Sequence, residues 1–435
     1  HDFAPDSTPL TTSTTAYDAA GNLIASTTPR GVASGNPAAY TTSYTYDPIS
    51  RLTTVAQPSS PSHVVATAYS YDASGNHTAM TDGRGYTTSY QYNEWNLQTA
   101  VIEPATPTFP GAADRTWTTE YDPAGLAVRL IEPGAITVDR SFDELGRMTS
   151  ETGTGADVTT AARTFAYDTS GQRVSAGSPA GDIGFIYDDR GLLTQTTGPT
   201  QYQSNFTYDP SGRMLSRNDA AGATSYTWNT RGQLASITDA LTGSSRANTF
   251  DVAGQLVDVA YSGGATRTVG YDDLGQVTSD EMKTSTGTVT AGYSYNYNPD
   301  GNLTEATANL PGNPATGTNH YSYDNAGRLA SWDNPANTTV TYNYDDSGNL
   351  INNAGTAATF DARNQLQTTG TATYQWTPRG TLASVTDGGS TTASTFDALN
   401  RNTATGTTSY TYDSLDRAAT NGPTQFAYAG AEIDP

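Results

Sequence analysis

The sequence predicts an all-β protein, made of tandem β-hairpins laid side by side in one long antiparallel ribbon. Three observations carry that expectation. A motif of an aromatic followed by Asp or Asn, with Gly four positions after the aromatic, recurs along the whole chain. The residues before each motif alternate aromatic and small polar, the period of a strand with one face partly covered. No window shows apolar residues at the 3.6-residue period of an amphipathic helix. Composition points the same way: 42 Gly, 22 Pro and 28 Tyr, with 35% hydrophobic residues, suit turn-rich β structure and are thin for compact helical cores.

The motif comes first because it sets the phase of everything else. Its aromatics stand at 17, 46, 71, 92, 121, 142, 167, 187, 208, 228, 250, 271, 297, 323, 344, 360, 376, 396 and 412, and Tyr428 begins a broken further copy. The spacing averages about 21–22 residues, in the range of solenoids and arrays. The clearest copies are Tyr17-Asp18 with Gly21, Tyr71-Asp72 with Gly75, Tyr121-Asp122 with Gly125 and Tyr208-Asp209 with Gly212. Tyr271-Asp272 with Gly275, Tyr323-Asp324 with Gly327 and Tyr344-Asp345 with Gly348 repeat the same pattern. Asp and Asn accept hydrogen bonds from backbone N–H groups two or three residues on, closing an Asx-type turn. Where the fourth position is not Gly it is Ser50, Asn96, Asn364, Asn400 or Asp416. Apart from Ser50, these are residues that tolerate φ > 0, so the position is expected to need a left-handed backbone. A tight turn explains both choices, and these residues are expected to be structural.

Strands and connections follow from that phase. Tyr44-Thr45-Tyr46, Phe206-Thr207-Tyr208, Tyr321-Ser322-Tyr323 and Tyr410-Thr411-Tyr412 place two rings on one sheet face and a small polar residue on the other. After the turn come Arg, Asn or Gln and usually an aliphatic, as in Gly212-Arg213-Met214, leading into a Thr/Ser-rich return strand. The rings are expected to stack in ladders between adjacent hairpins, with a sugar-stacking platform as the functional alternative. Loops are expected at Pro29–Pro37, Gln57–Ser62, Glu103–Ala113 and Pro311–Thr318, where spacing is long. Near the C-terminus the copies shorten, so the ribbon should narrow. One domain over 1–435 is the economical reading, with about 19 hairpins from residue 10 to 425.

Charge and chemistry exclude several classes. With 21 basic against 43 acidic residues the chain carries −22, which repels phosphate backbones and argues against nucleic acid as a partner. No apolar run approaches the ~18 residues of a membrane span. Zero Cys removes disulfides and thiolate chemistry. His1, His63, His77 and His320 are scattered, with no paired ligand spacing. The acidic turns 298–302 and 345–349 lack the alternating ligands and final Glu of an EF-hand, so capping explains them better than calcium. No GxSxG elbow is present. No catalytic residue, cofactor or metal is therefore expected.

The phased motif resembles the Rhs/YD-repeat family, and the likeness spans about residues 10–430. The resemblance implies hairpins joined into a ribbon that spirals into a hollow shell, as in Rhs polymorphic toxins, Tc toxin B and C components and teneurin-like repeats. It further implies a secreted or surface-exposed bacterial protein whose shell houses a C-terminal toxin cargo. Residues 426–435 resemble the entry to an Rhs-associated core. The self-cleaving segment expected after that core does not follow, and the chain opens at His1 without Met, so it reads as a piece of something longer. The counts agree with a shell: about 38 strands at ~4.8 Å spacing make a ribbon on the order of 180 Å long, which must curl. The expectation is a non-enzymatic encapsulating wall, the alternative a module that adheres to glycan or cell wall.

Overall fold

The computed structural model describes residues 2–3, 9–198, 203–426 and 428. Strand follows strand, most pairing antiparallel with the next in sequence, as in Thr41–Tyr46 with Leu52–Ser60 and Leu52–Ser60 with His63–Tyr71. Among the described residues helix is confined to one turn at Pro29–Ala33 and 3₁₀ turns at Pro37–Tyr40 and Ala112–Asp114. The fold is all-β, of tandem hairpins.

Contacts gather the chain into two units. The first joins His1–Thr88 with Ser244–Phe360, the second Ser89–Gly243 with Asp361–Pro435. In both, strands alternate as the sequence predicts. Thr339–Tyr344 alternates exposed and half-buried residues, with Val340, Tyr342 and Tyr344 on the half-buried side. Cores are thin. Among the described residues two clusters of buried apolar side chains occur, both in the second unit: Phe165, Ala176, Ile183 and Phe185 form one, Ile136, Val138 and Ala398 the other. Towards the C-terminus the strands shorten to four or five residues, as at Leu366–Thr369 and Ala372–Trp376, against nine at Leu52–Ser60.

Three expectations need correction. The stretch 57–62 is mostly strand: Gln57 pairs with Val65 and Pro58 with Val64, and the register shifts between Pro58 and Ser60. A proline lacks the N–H a ladder needs, and the irregularity beside it absorbs the loss. Pro29–Pro37 is also more than a slack loop. Proline near the first turn of a helix sacrifices only an N–H that would be orphaned anyway, and Thr28 caps the short helix by accepting from the Gly31 amide. The third correction concerns the rings and follows from the site below.

The motif turns carry a feature not foreseen, a β-bulge, at the hairpins whose pairing is described. In the hairpin Gln203–Tyr208 with Met214–Asp219, Thr207 pairs with Ser216 but Tyr208 with Met214, so Leu215 is the extra residue. The same shift recurs at Tyr17, Tyr46, Tyr71 and Tyr412. A bulge strengthens the local twist and turns the following side chains relative to the ladder.

Candidate functional site

The repeated turn is where sequence, geometry and charge converge. At Asp209 the carboxylate Oδ1 accepts from the amides of Ser211 (2.8 Å) and Arg213 (3.0 Å), two and four residues on. The third residue is bound through the main chain, Gly212 N–H donating to the Asp209 carbonyl at 3.0 Å. Asp18, Asp122, Asp272 and Asp345 make the same pair of side-chain bonds. Asp72 is bonded by the Asn76 amide and side chain, Asp324 by those of Arg328. In the copy without an acid, the Thr377 hydroxyl accepts from the Thr381 amide.

Closing so short a loop forces the fourth residue left-handed. Gly212 has φ +81°, while Ser50, Asn96, Asn364, Asn400 and Asp416 lie between +60° and +65°. Gly21, Gly75, Gly125, Gly275, Gly327 and Gly348 share that region.

Electrostatics follow from the donors. The Arg213 amide, with the Arg213 side chain, holds the Asp209 carboxyl below its ordinary value, and the Arg51, Arg147 and Leu192 amides do the same for Asp47, Asp143 and Asp188. In turns 298–302 and 345–349 the Asn298 and Asp345 Oδ1 atoms are likewise committed to backbone amides.

Two kinds of side chain tie turns to their neighbours, the motif Tyr or Trp and, in the copies that carry one, an Arg after the turn, and neither role was foreseen. The motif aromatic reaches back: its polar tip donates to the carbonyl of the residue just past the previous turn. Tyr71 bonds Leu52, Tyr121 bonds Gln98, Tyr208 bonds Leu193, Tyr271 bonds Leu256 and Tyr323 bonds Leu303, at 2.7–2.9 Å. Trp228 and Trp376 do so through Nε1. Tyr428, opening the broken copy, bonds Ala418. Tyr17, in the first strand of the series, is largely exposed instead. The signal was available, since fifteen of the nineteen motif aromatics are Tyr or Trp, which carry a donor, and four are Phe.

The Arg five residues after the aromatic reaches forward. Arg213 pairs with Asp209 (2.6 Å), bonds the Asn229 carbonyl and lies over the Trp228 ring. Arg51 over Tyr71, Arg147 over Tyr167 and Arg328 over Tyr344 repeat it at 4.7–4.8 Å from the ring centroid. Here lies the third correction: at these positions the ring of one hairpin meets the guanidinium of the one before, a cation–π contact, and Tyr71 meets in addition the His77 ring of its own hairpin at 5.6 Å. A ring–ring stack that does occur, Tyr293 on Tyr295 at 6.3 Å, lies within a single strand. Planar guanidinium suits this because it stacks and donates sideways at once.

Within each unit, late turns also seat against the opposite ends of early hairpins. In the first unit Asp300 accepts from the Arg30 amide (2.7 Å) and Thr28, while Arg30 donates to the Tyr323 and Asp324 carbonyls. Asn325 bonds the Ala39 carbonyl, His63 meets Asp346 at 2.7 Å, and Ser347 donates to Asp82. A Cβ on Gly83 would overlap the Asp346 carbonyl, so that approach requires glycine. In the second unit Arg363 donates to the Pro104 and Asp114 carbonyls, and the buried Arg379 pairs with the buried Glu132 at 3.2 Å. Burial raises the Glu132 carboxyl, and Arg379 and Asn400 oppose the rise. Ser414 donates to the Ala176 carbonyl, and Leu399 and Leu415 pack on the two apolar clusters.

Known proteins share both motif and fold. The Teneurin YD-shell family matches residues 217–354 and 293–429, and RHS Repeat matches 17–61, 66–108 and 187–224. Among solved structures, TcdB2-TccC3-Cdc42 is 17% identical with a TM-score of 0.70 over 92% of this chain and 26% of that chain. The Photorhabdus luminescens Tc holotoxin pore is similar at 16% identity and TM-score 0.70, covering 92% of this chain and 26% of that one. TcdB2-TccC3 without its hypervariable C-terminal region gives the same identity, coverage and score. The chain thus spans about a quarter of the length of the solved chains it matches. No curated protein matches the sequence significantly. A repeat scaffold is the class that fold and turns define. The chain belongs to the Rhs/YD-repeat family.

Proposed function

We propose that the chain is a wall segment of an encapsulating β-shell that holds a polypeptide cargo, in a secreted or surface-exposed toxin-like protein. One observation carries the reading: 92% of the chain shares the fold of TcdB2-TccC3, including the form that lacks the hypervariable C-terminal region. The likeness therefore rests on the part of that protein outside its variable region. The chemistry of the turns agrees, since their carboxylates and guanidinia are committed to backbone and to one another, which suits a scaffold. Residues 427 and 429–435, within the stretch expected to enter an Rhs-associated core, lie outside the described residues. No helix among the described residues is long and apolar enough to cross a membrane.

The wall would enclose water, because so few apolar side chains are fully buried for a chain of this length. Small-angle scattering tests this. A hollow wall gives a radius of gyration clearly above the compact value of ~22 Å for 435 residues, and a filled globule falls on it. A compact value defeats the reading. Specific, saturable binding on a glycan array would move the function to adhesion.

A further inference from the structure

The early–late contacts of the two units are built from different materials, although the same kind of turn makes both. In the first unit they are mainly polar: the mostly buried Arg30–Asp300 pair, Asn325 on the Ala39 and Ser59 carbonyls, the half-exposed His63–Asp346 pair, and Ser347 on Asp82, with Ala39 a buried apolar residue among them. In the second unit comparable polar bonds are joined by apolar burial. Ala398 and Ser414 are fully buried, and Leu399 and Leu415 sit on clusters formed by Ile136 and Val138, and by Phe165, Ile183 and Phe185.

The two materials respond differently to opening. A hydrogen bond or partly exposed ion pair that opens is replaced by bonds to water, so its net contribution is small. Buried apolar surface finds no such replacement and loses its whole stabilisation when wetted. Regions with few buried apolar contacts open at lower free energy than the rest of the molecule.

We infer that the first unit's early–late contact is a releasable latch, whereas the second unit's contact is a permanent joint. Late turns 298–302, 323–328 and 345–349 lift from residues 28–40, 59–63 and 82–84 while the strand ladders stay intact. Late turns 397–401 and 413–417 stay seated. If the chain is a shell wall, the latch is the line along which it parts. That use rests on the encapsulation reading, but the difference in opening does not.

Four backbone amides report on it, because each donates across one of the two contacts. Arg30 donates to Asp300 and Asn325 to the Ser59 carbonyl in the first unit. Phe396 donates to Asp157 and Ala398 to Thr160 in the second. Native-state hydrogen exchange of the intact chain, corrected for intrinsic rates, should show the Arg30 and Asn325 amides exchanging at least about tenfold faster than the other two. Arg30→Gln should speed the Asn325 amide further and leave the Ala398 amide unchanged. Equal protection of all four amides, or faster exchange at Ala398, overturns the inference. So does an Asn325 amide indifferent to Arg30→Gln.

Discussion

Replacing Arg379 by Met removes the positive member of the most deeply buried ion pair described. Both side chains are 2% exposed, and Asn400 is the other side chain bonded to the Glu132 carboxylate. The uncharged Met fills much of the arginine's volume but leaves a buried carboxylate without its cation, which costs about 3–5 kcal/mol. Glu132→Met/Arg379→Met removes both charges and should recover most of that loss. The sign with pH is fixed by burial, which raises the Glu132 carboxyl in the folded chain above its unfolded value. A raised carboxyl contributes stability that is fully present below the unfolded value and is lost as pH rises through the folded one. In Arg379→Met the carboxyl rises further, so the variant's deficit should be smaller at pH 5 than at pH 8. Urea titrations of wild type, single and double variants at both pH values measure it, from midpoints at constant m. A deficit below about 1 kcal/mol, a double variant no better than the single, or a deficit that grows in acid would refute the reasoning.

Gly212→Val should destabilise by ~1–3 kcal/mol, because a β-branched residue resists the φ of +81°; an unchanged melting midpoint would show that the fourth position does not need a left-handed backbone. Tyr208→Phe keeps the ring but strips the donor from the Leu193 carbonyl, at about 1–2 kcal/mol by denaturant titration. Asp47, Asp143, Asp188 and Asp209 have carboxyls lowered by turn amides, so their stabilisation is present above the ordinary carboxylate value and is lost as pH falls through the lowered folded values. An acid titration followed by circular dichroism should accordingly show strand structure surviving mild acid and failing only below about pH 4.

The sequence by itself determined what is local. Turn chemistry, the left-handed fourth residue and the alternation of faces depend on residues within about four positions of one another, so composition and period reveal them. Ser50 illustrates this. It is not a residue noted for φ > 0, yet its place in the phase predicts the +65° it adopts. The run at 57–62 shows the limit of such reasoning, because Pro58 reads as a loop signal until the partner strand His63–Tyr71 is seen to tolerate it.

Only tertiary structure decided what crosses from one hairpin to another. Tyr208 reads as an apolar ring in a strand, and the Leu193 carbonyl that engages its hydroxyl lies fifteen residues away in the strand Leu193–Thr197, whose register the bulge at Tyr187 sets. Arg213 reads as a generic polar residue after a turn, and its place over Trp228 depends on the register of Met214–Asp219 against Gly222–Trp228. The contacts of Arg30 with Asp300 and Arg379 with Glu132 span some 250 residues, and no periodicity encodes which late turn meets which early hairpin. The physical reason is one of range: local conformational preference is written in neighbouring side chains, whereas burial and charge pairing depend on partners that folding alone brings together.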